Sequence, residues 1–189
     1  MKIFISLKYL TILAIFLICL LFFYSFNFNF LTEKDIVGIF YNIGSKLFSK
    51  EGYFITLPSN SYSKFPEMGV GKISKTNFTS FIFLGASGFA NKIAAFIYSN
   101  TETPKQVFDN FSILESYYSY ETNTTLETIS LNITGVKFFK ITTFISKNIT
   151  FMQYGFATFK KNVLFLGTAG GEPLAINMTN SLLEELKSR

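Results

Sequence analysis

Between Tyr9 and Tyr24 the chain carries one polar side chain, Thr11, in a run of leucine, isoleucine and aromatic residues. Helix rise of 1.5 Å per residue means that ~20 apolar residues cover a bilayer core, and residues 9–30 supply that length. Lys8 lies at the edge of the run, where its stem can carry the charge back to the surface. The SFNFNF stretch that follows alternates polar and aromatic side chains, as suits a membrane–water boundary.

Past this run the periodicity changes. Thr32 followed by Asp35 approximates a capping box, and Ile36, Val37, Ile39, Phe40, Ile43, Leu47 and Phe48 recur at helical spacing. This predicts a helix from 32 to about 49, ending near Gly52, either continuous with the membrane helix or kinked at 29–32. Residues 53–57 read as a short strand stopped by Pro58. Residues 59–79 read as a long polar loop, and 81–86 with 92–99 as a hairpin around Ser87-Gly88. Thr103-Pro104-Lys105-Gln106 has the composition of a helix start, with Thr103 as the cap. Val107, Phe108, Phe111, Leu114 and Tyr118 continue it as one apolar face, predicting a single helix over 104–119. Strand patterns follow at 126–133, 136–144, 151–158 and 163–168. Their short connections favour antiparallel pairing. A last helix is predicted over 173–187, with Leu174, Met178, Leu182, Leu183 and Leu186 on its apolar side.

The order predicts an α+β fold: an N-terminal transmembrane helix, then an antiparallel sheet packed with helices that cover a face. Residues 1–31 form the anchor, 32–52 a juxtamembrane helix and 53–189 the extracytoplasmic domain. The succession FIYS, TPKQVFDNF, GVKFFKIT, FMQYGFATFK, NVLFLGTA and SLLEEL, spanning about 53–187, resembles the PsbP-like α+β fold in element order and hydrophobic spacing. That resemblance implies an accessory or envelope-associated role and carries no site residue with it.

Charge orients the chain. Lys2 and Lys8 precede the apolar run, and Glu33, Lys34 and Asp35 nearly cancel after it. The positive-inside rule then puts the N-terminus in the cytoplasm and residues from about 31 outside. A cleaved signal peptide needs small residues at the −1 and −3 positions, and no good pair occurs around 22–29. Cys19 lacks the small residues that lipoprotein processing requires before it, so it reads as a membrane-buried thiol. The net charge is +5, and apart from Lys160-Lys161 the lysines are scattered; the one arginine is Arg189. Nothing there resembles a phosphate-neutralising stripe, so no nucleic acid is expected as a partner. The expected partners are membrane lipid, through the N-terminal helix, and other envelope proteins.

Candidate chemistry is thin. The chain has no histidine, and its single cysteine is in the apolar run. That removes the Ser-His-Asp and Cys-His systems and the usual zinc sites, and no cofactor is expected. Carboxylate chemistry would have to draw on Glu102, Glu115, Glu121, Glu127 and Glu172, the basis of a third reading as a membrane-tethered hydrolase. The run GTAGGE over 167–172 sits between a strand and a helix, the setting of a phosphate loop. It lacks the Lys-Ser/Thr pair, and Glu172 would face the phosphate, so it reads as a strand-exit turn. Tyr117, Tyr118 and Tyr120 cluster after the central helix, but most aromatic rings are expected in the core.

Six Asn-x-Ser/Thr patterns occur, against about three expected by chance at this composition. Asn77 and Asn123 fall in polar connections and Asn148 in a turn. Asn132 has the outward phase of its strand, and Asn177 lies opposite the apolar stripe of the last helix. These five are candidate glycan acceptors; Asn110, within the central helix beside its buried face, is a doubtful one. Sequons on an ectodomain without disulfides point to an archaeal rather than a eukaryotic surface. The leading reading is a single-pass, non-enzymatic envelope or interaction protein. The runner-up is a pilin-like or filament-associated subunit, weakened by the absence of a charged processing site and of an early glutamate in the apolar helix.

Overall fold

The computed structural model describes residues 7–28, 30–60, 77–86, 90–118, 124–146 and 149–189. The chain divides into two compact units, 1–30 and 31–189. The first holds helix α1 (Leu7–Phe28), 22 residues long. Residues 11–21 of it are exposed all round, Ile12, Phe16 and Ile18 included. Over the residues whose side chains are described, no helix is long and apolar enough to cross a membrane. In α1 that stretch is 11–21, about 16 Å of helix.

The second unit is α+β. Its strands are β1 (Tyr53–Ile55), β2 (Ser80–Ala86), β3 (Lys92–Ile97), β4 (Thr124–Ile129), β5 (Val136–Ser146), β6 (Ile149–Lys160) and β7 (Val163–Ala169). They form one antiparallel sheet in the order β1-β2-β3-β7-β6-β5-β4. Its helices are α2 (Glu33–Phe48), α3 (Glu102–Asp109), α4 (Phe111–Tyr118) and α5 (Glu172–Lys187). The expected meander β4-β5-β6-β7 is present. The first hairpin, β2-β3, joins it by pairing β3 with β7, where Ile97 meets Val163 and Lys92 meets Thr168.

Helices lie on both faces of the sheet, not on one as the element order alone implied. On one face α2 and α5 pack Ile36, Ile39, Phe40, Ile43, Met178, Leu182 and Leu186 over Ile82, Ile93, Phe156 and Phe165. On the other, Val107 and Phe108 of α3 and Leu114 of α4 join Phe96, Phe139, Leu164 and Leu166. Central strands β2 and β7 are therefore buried along their whole length. That is why they read as continuous apolar runs rather than as alternating ones.

The capping box at Thr32 is present. Asp35 N–H donates to Thr32 Oγ1 at 3.3 Å, and Thr32 N–H donates to Asp35 Oδ2 at 2.9 Å. Far from standing apart, α2 packs on the sheet closely enough that a Cβ on Gly44 would lie 2.4 Å from the Tyr53 ring. A glycine is what lets the helix approach there. Gly167 does the same inside the sheet, its Hα side filled by the Phe156 ring 2.2 Å from where a Cβ would sit.

Several expectations are corrected. The helix predicted over 104–119 is two helices, because Asn110 takes an extended conformation, φ −88° and ψ 101°. Its N–H donates to Gln106 O, closing α3, and its Oδ1 accepts from Ile113 N–H, opening α4. A short amide side chain competes for backbone groups in this way, so it favours helix ends over interiors. The start of α3 is also earlier than predicted. Thr101, not Thr103, is at the cap position, and the side chain of Asn100 before it does the capping, its Oδ1 accepting from Glu102 N–H at 3.0 Å and Thr103 N–H at 2.7 Å. The strand predicted over 126–133 ends at Ile129, and residues 131–136 turn back through Leu131 N–H to Ile129 O and Ile133 N–H to Leu131 O. β1 is shorter than predicted and β6 longer.

Candidate functional site

Leu31 begins the folded unit and is held at one end of it by Asn162, in the β6-β7 turn. Leu31 N–H donates to Asn162 Oδ1 at 2.7 Å. Asn162 Nδ2 donates to Leu31 O and to Tyr98 O, both at 3.2 Å. The preceding Lys161 has φ +54°, the left-handed conformation that closes this tight turn. An ionic cluster sits alongside: Arg189 reaches Asp35 at 3.0 Å, and Lys161 Nζ donates to Arg189 O at 2.9 Å. Burial pushes the Asp35 carboxyl pKa up, but the Thr32 hydrogen bonds and the charges of Arg189 and Lys161 outweigh it, and the net shift is downward.

Toward the opposite end β5 runs to Ser146 and β6 starts at Ile149. β6 is 12 residues long, so its start lies about 36 Å from the β6-β7 turn. The last β6–β7 pair is Tyr154 with Ala169, so residues 149–153 run on without a β7 partner. Phe144, Ile145, Ile149, Phe151 and Met152 are exposed there, Ile145 at 63% and Ile149 at 56%. The sequence placed Phe144 and Phe151 at the ends of two strands, and most aromatic rings were expected in the core. Among the described residues no helix covers these side chains, and they are exposed.

A second feature is Lys92, at the start of β3 on the α3 side of the sheet. Its ladder partners are Gly85 and Thr168. Burial pulls its pKa down from the ordinary 10.5 to about 8. Between those two values the unfolded chain binds the proton and the folded one does not, so stability rises with pH across that window. Below it both forms are protonated, and burial of the charge lowers stability. Lys92→Met is expected to be more stable than the native chain at pH 7, by on the order of 2 kcal/mol, and to lose most of the rise. Urea unfolding of both proteins at neutral and alkaline pH checks this. A parallel pH profile in the two proteins would show that Lys92 is not its source.

The predicted acceptors are scattered over the unit. Asn77, Asn132 and Asn177 are exposed. Asn132 sits in the bend after β4 rather than in a strand, so its exposure comes from the turn and not from strand phase. Asn177 lies on the outer side of α5; Thr179, two residues on, is buried and donates to Ala175 O at 2.8 Å. Asn110 is exposed too, at the helix break, with its carbonyl engaged as a cap. Asn123 and Asn148 lie outside the described residues, as do Glu121, Tyr120 and the Ser87-Gly88 turn. The side chains of Tyr117 and Tyr118 are likewise not among those described.

The glutamates are dispersed. Glu102 opens α3, Glu115 is on α4, and Glu127 is on β4, 4.0 Å from Lys140. Glu172 opens α5, after Gly171 at the cap position and Gly170, whose N–H donates to Asn91 Oδ1 at 3.0 Å. GTAGGE is thus the end of β7 and the turn out of it. Among the described residues no three His, Cys, Asp or Glu side chains lie together so as to hold a metal ion. Cys19 is exposed on α1.

The fold and its surface define an α+β domain of seven antiparallel strands between two helical layers, preceded by an apolar helix. No protein-family model matches the chain. No curated protein matches it either. Among solved structures, the extracellular domain of PknH from Mycobacterium tuberculosis is similar, with a TM-score of 0.46 and 7% identity over 86% of this chain and 95% of that one. A likeness that loose carries no argument about function.

Proposed function

We propose that the chain is a single-pass membrane protein whose folded unit stands outside the cell as a non-enzymatic interaction domain. The observation that carries this is α1, with apolar side chains exposed on every side over 11–21. A helix apolar all round belongs in a core or in a bilayer. At 22 residues α1 is about 33 Å long, against a hydrocarbon core of ~30 Å. Lys2 before it and Lys8 in its first turn favour a cytoplasmic N-terminus. The helix order after the first hairpin, and the helix closing the meander, keep the resemblance to the PsbP-like fold within this reading, along with its envelope-associated role. Glycans on Asn132 and the other exposed acceptors, and the archaeal setting they imply, belong to the same proposal.

Fractionation of the native host tests it. The protein is expected to sediment with membranes, to resist alkaline carbonate, and to lose its folded unit to protease added outside sealed cells. Release by carbonate, or protection until the cells are opened, refutes the proposal. Intact mass checks the sugar independently: a mass equal to that of the bare chain removes the glycan part and leaves the anchor untouched.

A further inference from the structure

We infer that the sugar is transferred to the folded protein, at Asn132, and that Asn177 and Asn77 accept it only while the chain is unfolded. This rests on the glycan part of the proposed function and adds which state of the chain the sugar donor meets.

The acceptor pattern specifies a hydroxyl two residues after the asparagine, so a transferase has to reach both side chains at once. The fold presents these pairs differently. Around Asn132 the chain makes a tight turn, with Ile133 N–H donating to Leu131 O at 2.8 Å. Leu131 and Ile133 pack against the core that α2 and α5 cover, while Asn132 and Thr134 are both exposed. One enzyme surface can meet that amide and that hydroxyl without disturbing the sheet. Asn177 is exposed as well, but its hydroxyl partner is out of reach. Residues two apart on a helix point about 200° apart around its axis and do not share a side. Thr179 is fully buried, and its hydroxyl donates to Ala175 O at 2.8 Å. Asn77 precedes Thr79, whose N–H and Oγ1 both donate to Ile97 O, at 2.7 and 3.0 Å. Phe78 between them packs edge-on against Phe96. Presenting either pair means unwinding α5 or peeling 77–79 away from β3, a local unfolding that Asn132 does not require. The transfer is a substitution at the anomeric carbon of a sugar carried on a polyprenyl phosphate or diphosphate. A bond forms from that carbon to Asn132 Nδ2, and its bond to the phosphate oxygen breaks. The lipid phosphate leaves with the electron pair, and the amide nitrogen loses one proton to the transferase.

The full chain, made in a host that adds no sugar and folded in mild detergent, is incubated with membranes of the native host. These supply the transferase and its lipid-linked sugar. A second portion is first cut after its lysines and the protease inactivated. The fragments 76–92, 106–137 and 162–187 then carry Asn77, Asn132 and Asn177 without the fold. Glycopeptide mass spectrometry reads each site. Asn132 is expected to be occupied equally, within about twofold, in the folded chain and in the fragments. Asn177 and Asn77 are expected to be occupied at least about tenfold less in the folded chain than in the fragments. Thr134→Ala, a change at an exposed position, is expected to remove the sugar from Asn132 in both portions. Asn132 occupied in the fragments but bare in the folded chain overturns the inference, and so does Asn177 occupied equally in both. Sugar on Asn132 that survives Thr134→Ala overturns the need for both side chains, on which the distinction stands. Fragments that take no sugar at any site refute the glycan part of the proposed function itself, so that failure is told apart from failure of the distinction between sites.

Discussion

Phe165→Ala is expected to cost about 4 kcal/mol of stability, near the middle of the range for emptying a buried phenylalanine site. Phe165 lies in β7, the strand with neighbours β3 and β6, and has no solvent exposure. Its ring meets Phe40 of α2 edge-on, centroids 6.5 Å apart at 70°. It is therefore where α2 grips the centre of the sheet. A loss of that size is a large part of the ~5–15 kcal/mol that holds a domain together. Urea unfolding of the full chain in mild detergent measures it. Pairing the change with Phe40→Ala in a double-mutant cycle should give a coupling of about 1 kcal/mol, the edge-to-face share beyond simple burial. A single-site cost under about 1 kcal/mol would mean that α2 does not dock there in solution.

Asn162→Ala is expected to cost about 3 kcal/mol. The side chain is 3% exposed and satisfies three backbone groups: Leu31 N–H, Leu31 O and Tyr98 O. Alanine removes all three bonds, and each buried group that loses a bond carries a desolvation cost. Asn162→Asp should be worse still, because a carboxylate would keep the bond from Leu31 N–H and face two carbonyl oxygens. Hydrogen exchange gives the local signature. The Leu31 amide should lose protection in Asn162→Ala by more than the global loss explains, while Phe165 keeps the protection of the remaining fold. Equal loss at both positions would reduce Asn162 to an ordinary core residue rather than the clamp that fixes where the chain joins the sheet.

Much of the architecture was legible because its signals are local. The Thr32–Asp35 box, the helical spacing through Phe48 and the short turns of the meander each depend on residues a few positions apart. The central helix misled because Val107, Phe108, Phe111 and Leu114 keep a helical rhythm across Asn110, and periodicity does not register a side chain that caps in both directions. Asn132 came out exposed by a different route from the one its phase implied. The β5-β6 end misled more deeply. Phe144 and Phe151 look like core residues, and only the lengths of the neighbouring elements leave them uncovered.

The apolar helix, the lysine-dominated charge, the absence of histidine and the succession of strands and helices were determined by the sequence alone, since composition and near-neighbour spacing suffice for each. The sheet order, the pairing of β3 with β7, the second helical layer, the partners of Asn162 and the exposure of Phe144 and Phe151 were decided only by tertiary structure. Each of those depends on which segments, up to 131 residues apart in the case of Leu31 and Asn162, come to share one surface. Burial is a property of that shared surface, and no single stretch of chain carries it.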